Sequence, residues 1–155
     1  MSAAPPPHLL VIGYGNTLRR DDGVGPRVAA AVGAMNLPGV QALAQHQLVP
    51  ELAEPVANAA AVIFVDADVN AQGEIALREV MARGEGEVFA HAADPSSLLA
   101  LAGQLFGRQP PAWTLSIPVA DLGFGEGVSP RAEAGFQVAL ELIRAHARQF
   151  GHSRD

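Results

Sequence analysis

The sequence contains no cysteine. Disulfides, a thiolate nucleophile and zinc–thiolate centres are therefore excluded before any motif is considered, and the absence fits a cytoplasmic protein. Aromatic residues make up only 5% of the chain, so its core must come from small aliphatic side chains in tight helix-on-sheet packing. No arginine-rich or lysine-rich run occurs, and the formal net charge is −6. A chain without a basic patch suits a phosphate backbone poorly, which argues against nucleic acid as a partner. No apolar run approaches membrane-spanning length, and the opening MSAAPPPHLL lacks a charged leader region. Neither H-E-x-x-H nor G-x-S-x-G is present, which removes the sequence-local signatures of zinc peptidases and serine hydrolases.

What is there is globular in composition, with 49% hydrophobic and 17% charged residues over 155 positions. That length suits one domain with a real core. Residues 1–7 and 150–155 are expected to be mobile ends. Apolar runs place strands at His8–Ile12, Ala61–Val65 and Ala112–Val119, with weaker alternating strands at Val40–Gln47 and Glu74–Val80. Helical spacing covers Asp22–Met35, Pro50–Asn58, a segment after Asp94-Pro95 closed by Gly107, and a last segment after Ser129-Pro130. In the third helix Leu98, Leu99, Leu101, Ala102, Leu105 and Phe106 form the expected apolar face. Val88-Phe89-Ala90 leads to His91. Alternating strands and helices predict a single three-layer α/β domain. Its sheet is mainly parallel, twisted and five-stranded, with helices on both faces and room for an antiparallel edge strand.

The chain is organised around Leu9–Val28, LLVIGYGNTLRRDDGVGPRV. A buried strand stops at Gly13, a long loop carries Asp21 and Asp22, and a helix begins near Pro26. A dinucleotide fingerprint would need a third glycine three residues after Gly15, where this chain has Leu18. Acidic residues at the mouth would also repel a pyrophosphate.

Three polar positions sit where loops of a doubly wound sheet converge: Asp22 after the first strand, Asp66 after the third, and His91 before the DPSSLL helix. Two carboxylates and an imidazole suit a first-row divalent metal and leave positions open for water or substrate. Each has a plainer reading. Asp22 is equally a helix cap by spacing, Asp66 equally a loop cap, and a lone histidine is more often structural or solvated. Asp68 shares a face with Asp66 in extended chain and rivals it. Asp21 is read as a solvated neighbour of Asp22, with support of Asp22 as the alternative, Asp94 as a cap, and His46 as structural or exposed. Arg19, Arg20 and Arg27 are read as solvated, with docking of acidic or C-terminal parts of a substrate as the alternative.

The pattern G-x-G-N-x-L-x-x-D-D-G-x-G after a strand resembles the N-terminal signature of the hydrogenase maturation proteases. LVPELAEPVANAAAVIFVDA is similar to the family's second block, His91 with DPSSLLALAGQLFG to the third, and IPVADLGFGEGVSPRAEAGFQVALELI to the last. The resemblance implies a five-stranded α/β fold and an endopeptidase. Its activity is the removal of a short C-terminal extension from the precursor of a nickel–iron hydrogenase large subunit once nickel is inserted. The family's metal-contacting residues fall on Asp22, Asp66 and His91, and the same residues are expected to serve catalysis. Nickel is expected to arrive with the precursor, with no permanent cofactor, and the enzyme to be a cytoplasmic monomer that does not enter the membrane. Two other functions remain open at this point: a non-catalytic checkpoint or chaperone for the loaded subunit, and a small-molecule-binding α/β domain.

Overall fold

The computed structural model describes residues 8–70, 75–82, 94–120, 122–125 and 127–150. Its strands are β1 (Leu9–Tyr14), β2 (Val40–Gln45), β3 (Ala61–Asp68), β4 (Leu77–Glu79) and β5 (Ala112–Pro118). Its helices are α1 (Val24–Ala34), α2 (Ala53–Asn58), α3 (Pro95–Phe106) and α4 (Pro130–Phe150), with 3-10 turns at Arg20–Gly23 and Pro50–Leu52. The strands form one sheet in the order β2-β1-β3-β5-β4. All pairings are parallel except β4 with β5. This is the mainly parallel α/β architecture expected from the sequence, with its antiparallel strand at one edge.

Residues alternate between the two faces of a strand, and both faces are covered. Leu10, Ile12, Val62 and Phe64 pack with Val56 of α2 and Leu98 and Leu99 of α3. Leu9, Val11, Ile63 and Val65 pack with Val24, Val28 and Val32 of α1 and with Ala139 and Ile143 of α4. Leu9, Leu10, Val11 and Ile12 are all fully buried. Each such side chain contributes roughly 1.5–3 kcal/mol of hydrophobic stabilisation. That is why an apolar run with no polar alternation becomes a central strand.

The strand order sets the site. From β1 the chain crosses to β2 on one side, whereas β3 leads to β4 and β5 on the other. The sheet therefore reverses direction between β1 and β3. Ligands of open α/β sheets lie outside the strand carboxyl ends at such a reversal.

Several boundaries differ from the sequence expectation. β3 continues through Asp68, because Asp66, Ala67 and Asp68 keep pairing with Ser116, Ile117 and Pro118. β5 ends at Pro118, one residue short of the expected Val119. The expected first helix starts as a separate 3-10 turn. Asp94 caps α3 by accepting from the Ser97 N–H at 2.8 Å, and Gly107 closes it at φ 77°. The last turn of α3 projects beyond the core, so Leu105 and Phe106 are exposed instead of buried. Residues 1–7, 88–90 and His91 lie outside the described residues. Among the described residues no helix is long and apolar enough to cross a membrane.

Candidate active site

The site starts with a close approach between backbones. A Cβ on Gly13 would lie 2.0 Å from the Gly25 carbonyl oxygen. A Cβ on Gly25 would lie 2.5 Å from the Tyr14 oxygen and 2.6 Å from that of Val65. The start of α1 thus rests on the ends of both β1 and β3. Gly25 supplies the tight helix–strand contact that the third glycine of a dinucleotide fingerprint would have supplied. Gly15, at φ 149°, lets the chain fold back under Asp22, whose carbonyl oxygen occupies the space a Cβ would need.

The reversal places Asp22 in the 3-10 turn, half-buried. Its Oδ2 accepts from the Asn16 N–H at 2.8 Å. Asn16 Oδ1 in turn accepts from the Leu18 N–H at 2.9 Å. Asp22 therefore braces the loop behind it and does not cap α1, whose N-cap is Gly23 with no side-chain cap bond.

Asp66 reaches the same edge from inside β3. The register sets it opposite Ser116, whose hydroxyl donates to Oδ1 at 3.0 Å. The Tyr14 hydroxyl donates to Oδ2 at a longer 3.3 Å. Burial pushes the Asp66 carboxyl up to about 6, opposed by the two hydroxyl bonds and reinforced by the charges of Asp68 and Asp22. Tyr14 is pushed well above the ordinary phenol range, first by burial and then by the charge of Asp66. It is therefore a proton donor in a hydrogen bond and not a phenolate.

Asp22 and Asp66 thus come from different strand ends and feel one another's charge. Asp68 shares their field, but its Oδ1 accepts from the Asn70 N–H at 2.8 Å, which closes the turn after β3. His91 lies outside the described residues. Among the described residues no cluster of three or more His, Asp or Glu is placed to hold a metal ion.

No protein-family model and no curated protein matches the chain. Solved structures do. The hydrogenase maturating endopeptidase HybD from E. coli is 26% identical, with 92% of this chain and 93% of that chain covered and a TM-score of 0.69. The chain is thus similar in sequence and fold to a hydrogenase maturation endopeptidase over nearly its whole length. The same fold recurs in the NiFe hydrogenase maturation protease HycI from Thermococcus kodakarensis, at 20% identity, coverage of 90% and 92%, and a TM-score of 0.67. It recurs again in a hydrogenase 2 maturation peptidase from a Thaumarchaeota archaeon, at 21% identity, coverage of 89% and 96%, and a TM-score of 0.64.

Asp21 overturns the preferred, solvated reading of its sequence position. It is not solvated but fully buried, at 0% exposure. Its Oδ2 accepts from the Ala120 N–H at 2.8 Å and the Ser129 hydroxyl at 2.7 Å, and its Oδ1 from the Ser129 N–H at 2.6 Å. Tyr14 and Ser116 were also invisible as site residues. Tyr14 reads as a spacer between two glycines, and Ser116 as one polar position in an apolar strand. Only the parallel register sets them beside Asp66. Arg19, Arg20 and Arg27 are exposed, with the Arg19 Nε–H donating to the Leu122 oxygen at 3.4 Å and the Arg20 guanidinium lying against Gly125. His46 is exposed.

Proposed function

We propose that this protein is a hydrolase of hydrogenase maturation. It is read as an endopeptidase that removes a short C-terminal extension from the nickel-loaded precursor of a nickel–iron hydrogenase large subunit. The observation that carries the reading is the convergence of Asp22 and Asp66 at the sheet reversal, in a fold shared with HybD.

The chemistry of the donor set fits a cation carried by the substrate. Asp66 is crowded by the charges of Asp68 and Asp22 and has lost much of its hydration. A divalent cation relieves both penalties at once. Asp22 keeps Oδ1 outside any hydrogen bond among the described residues. With His91 as a third ligand the set is two carboxylates and an imidazole, which suits nickel. The role of these residues is recognition: a precursor without nickel offers no cation to the carboxylates and binds poorly. The bound nickel supplies a Lewis acid near the scissile bond. Hydrolysis adds one water across the peptide bond and releases the extension as a free peptide.

The deciding experiment is intact mass of a large-subunit precursor incubated with this protein, with and without nickel. Loss of a C-terminal peptide from the loaded sample alone is expected. Equal cleavage of both samples would overturn nickel recognition, and a stable complex without mass change would overturn the protease reading.

A further inference from the structure

Adjacent residues of a 3-10 turn point roughly 120° apart. In the Arg20–Gly23 turn this sends Asp21 inward and Asp22 toward the site. Asp21 grips the connection between β5 and α4 at both ends, taking the Ala120 N–H at its start and the Ser129 N–H and hydroxyl at its close. Ser129 is itself committed to the helix, since its Oγ accepts from the Ala132 N–H at 3.2 Å. The same connection is laced to the loop before the turn: the Arg20 N–H donates to the Gly125 oxygen at 3.0 Å, and the Gly125 N–H donates to the Leu18 oxygen at 2.9 Å. Arg20 is held at φ 44°, a conformation that non-glycine residues keep only where their surroundings enforce it. The turn bearing Asp22 is thus held by contacts about a hundred residues away in sequence.

We propose that Asp21 is a positioning residue, which holds Asp22 in its working orientation by tying the 3-10 turn to the β5–α4 connection. The proposal deepens the function above and rests on it for the cleavage readout alone. The acceptor pattern demands a carboxylate. Donors point at both oxygens, so an amide at this position sets its own N–H groups against at least one of them.

The first test needs no substrate. The Asn16 N–H is protected by Asp22 Oδ2, so its hydrogen exchange reports where that carboxylate sits. In Asp21→Asn the Asn16 amide is expected to exchange at least tenfold faster, while Ile63 and Phe64 in β3 stay protected. Unchanged Asn16 exchange overturns the proposal. If the β3 amides also lose protection the variant is unfolding. Ser129→Ala, which removes the hydroxyl donor, then decides by the same criterion with at least a threefold change expected. The second test is a double-mutant cycle on cleavage of the nickel-loaded precursor. Asp21→Asn is expected to lower kcat/KM at least tenfold in the wild-type background and less than twofold in Asp22→Asn. Equal factors in both backgrounds mean that Asp21 does not act through Asp22, and overturn the proposal. A wild-type protein that cleaves nothing removes the proposed function, while the exchange result still decides for or against Asp21.

Discussion

Asp21 and Asp22 are neighbours in a 3-10 turn, whereas Asp66 and Asp68 are two apart in a strand. The turn splits its pair between interior and site, and the strand keeps its pair on one face. Within each pair one carboxylate braces the backbone and the other faces the site. The braces differ in depth. Asp21 is fully buried and takes at least three hydrogen bonds, two of them from the main-chain N–H groups of Ala120 and Ser129. Asp68 is half-buried and takes one N–H, from Asn70. The two site residues differ as well. Asp22 has a main-chain donor at 2.8 Å, whereas Asp66 has two hydroxyls, one of them at 3.3 Å, and two like charges for company. Burial alone does not decide how a carboxylate fares. The number of donors aimed at it, and the sign of its neighbours, decide whether its charge is satisfied within the fold or left under-compensated.

The largest effect expected from this contrast is on stability. Asp21→Ala leaves two main-chain N–H groups and a hydroxyl without their buried acceptor and should cost about 3 kcal/mol. Asp68→Ala should cost less than about 1 kcal/mol. Chemical denaturation of the two variants compares the braces directly, and similar losses would end the distinction. Next in size is the loss of cleavage. Asp22→Asn and Asp66→Asn should each lower cleavage of the loaded precursor about a hundredfold, roughly 2.7 kcal/mol, with folding intact by circular dichroism. Wild-type rates in either would remove it from the site.

A smaller effect of opposite sign is expected from the Asp66 titration. Its folded-state value of about 6 lies above the ordinary 3.8, so the folded protein holds this proton more tightly than the unfolded chain. The associated stability is complete below about pH 4 and is lost as pH rises through about 6. Asp66→Asn should therefore melt higher than wild type at pH 7, by about 1 kcal/mol or roughly 2–4 °C, with the gain vanishing near pH 4. A variant that melts lower at pH 7 would show that the hydroxyl bonds outweigh the burial of charge. The smallest expected change is from Tyr14→Phe, which removes the longer of the two bonds. It should move the Asp66 titration, followed by NMR, further upward by a few tenths of a unit.

Much of the fold was legible in the sequence because its signals are local. The run Leu9–Ile12 needs no partner to read as a buried strand, and Asp94-Pro95 and Gly107 punctuate α3 where the structure begins and ends it. Of the candidate site, strand ends alone pointed to Asp22 and Asp66, but not to what holds them. Asp66 lies inside β3 because β5 keeps pairing with it, a fact held fifty residues away. Asp21 looked like a surface charge because its donors stand 99 and 108 positions along the chain. Exposure of Leu105 and Phe106 depends on where the core ends, and helical spacing carries no information about that.

The parallel ladders also govern when the site can exist during synthesis. The bonds to Asp66 span 52 and 50 residues, and those to Asp21 reach to Ser129. Each pairing requires closing a long loop before any contact repays the lost chain freedom, which makes such topologies slow to form. A ribosome-bound chain that has not yet released Ser129 cannot clamp the turn bearing Asp22. The geometry around Asp22 is therefore completed late, after Ser129 has emerged and α4 has docked.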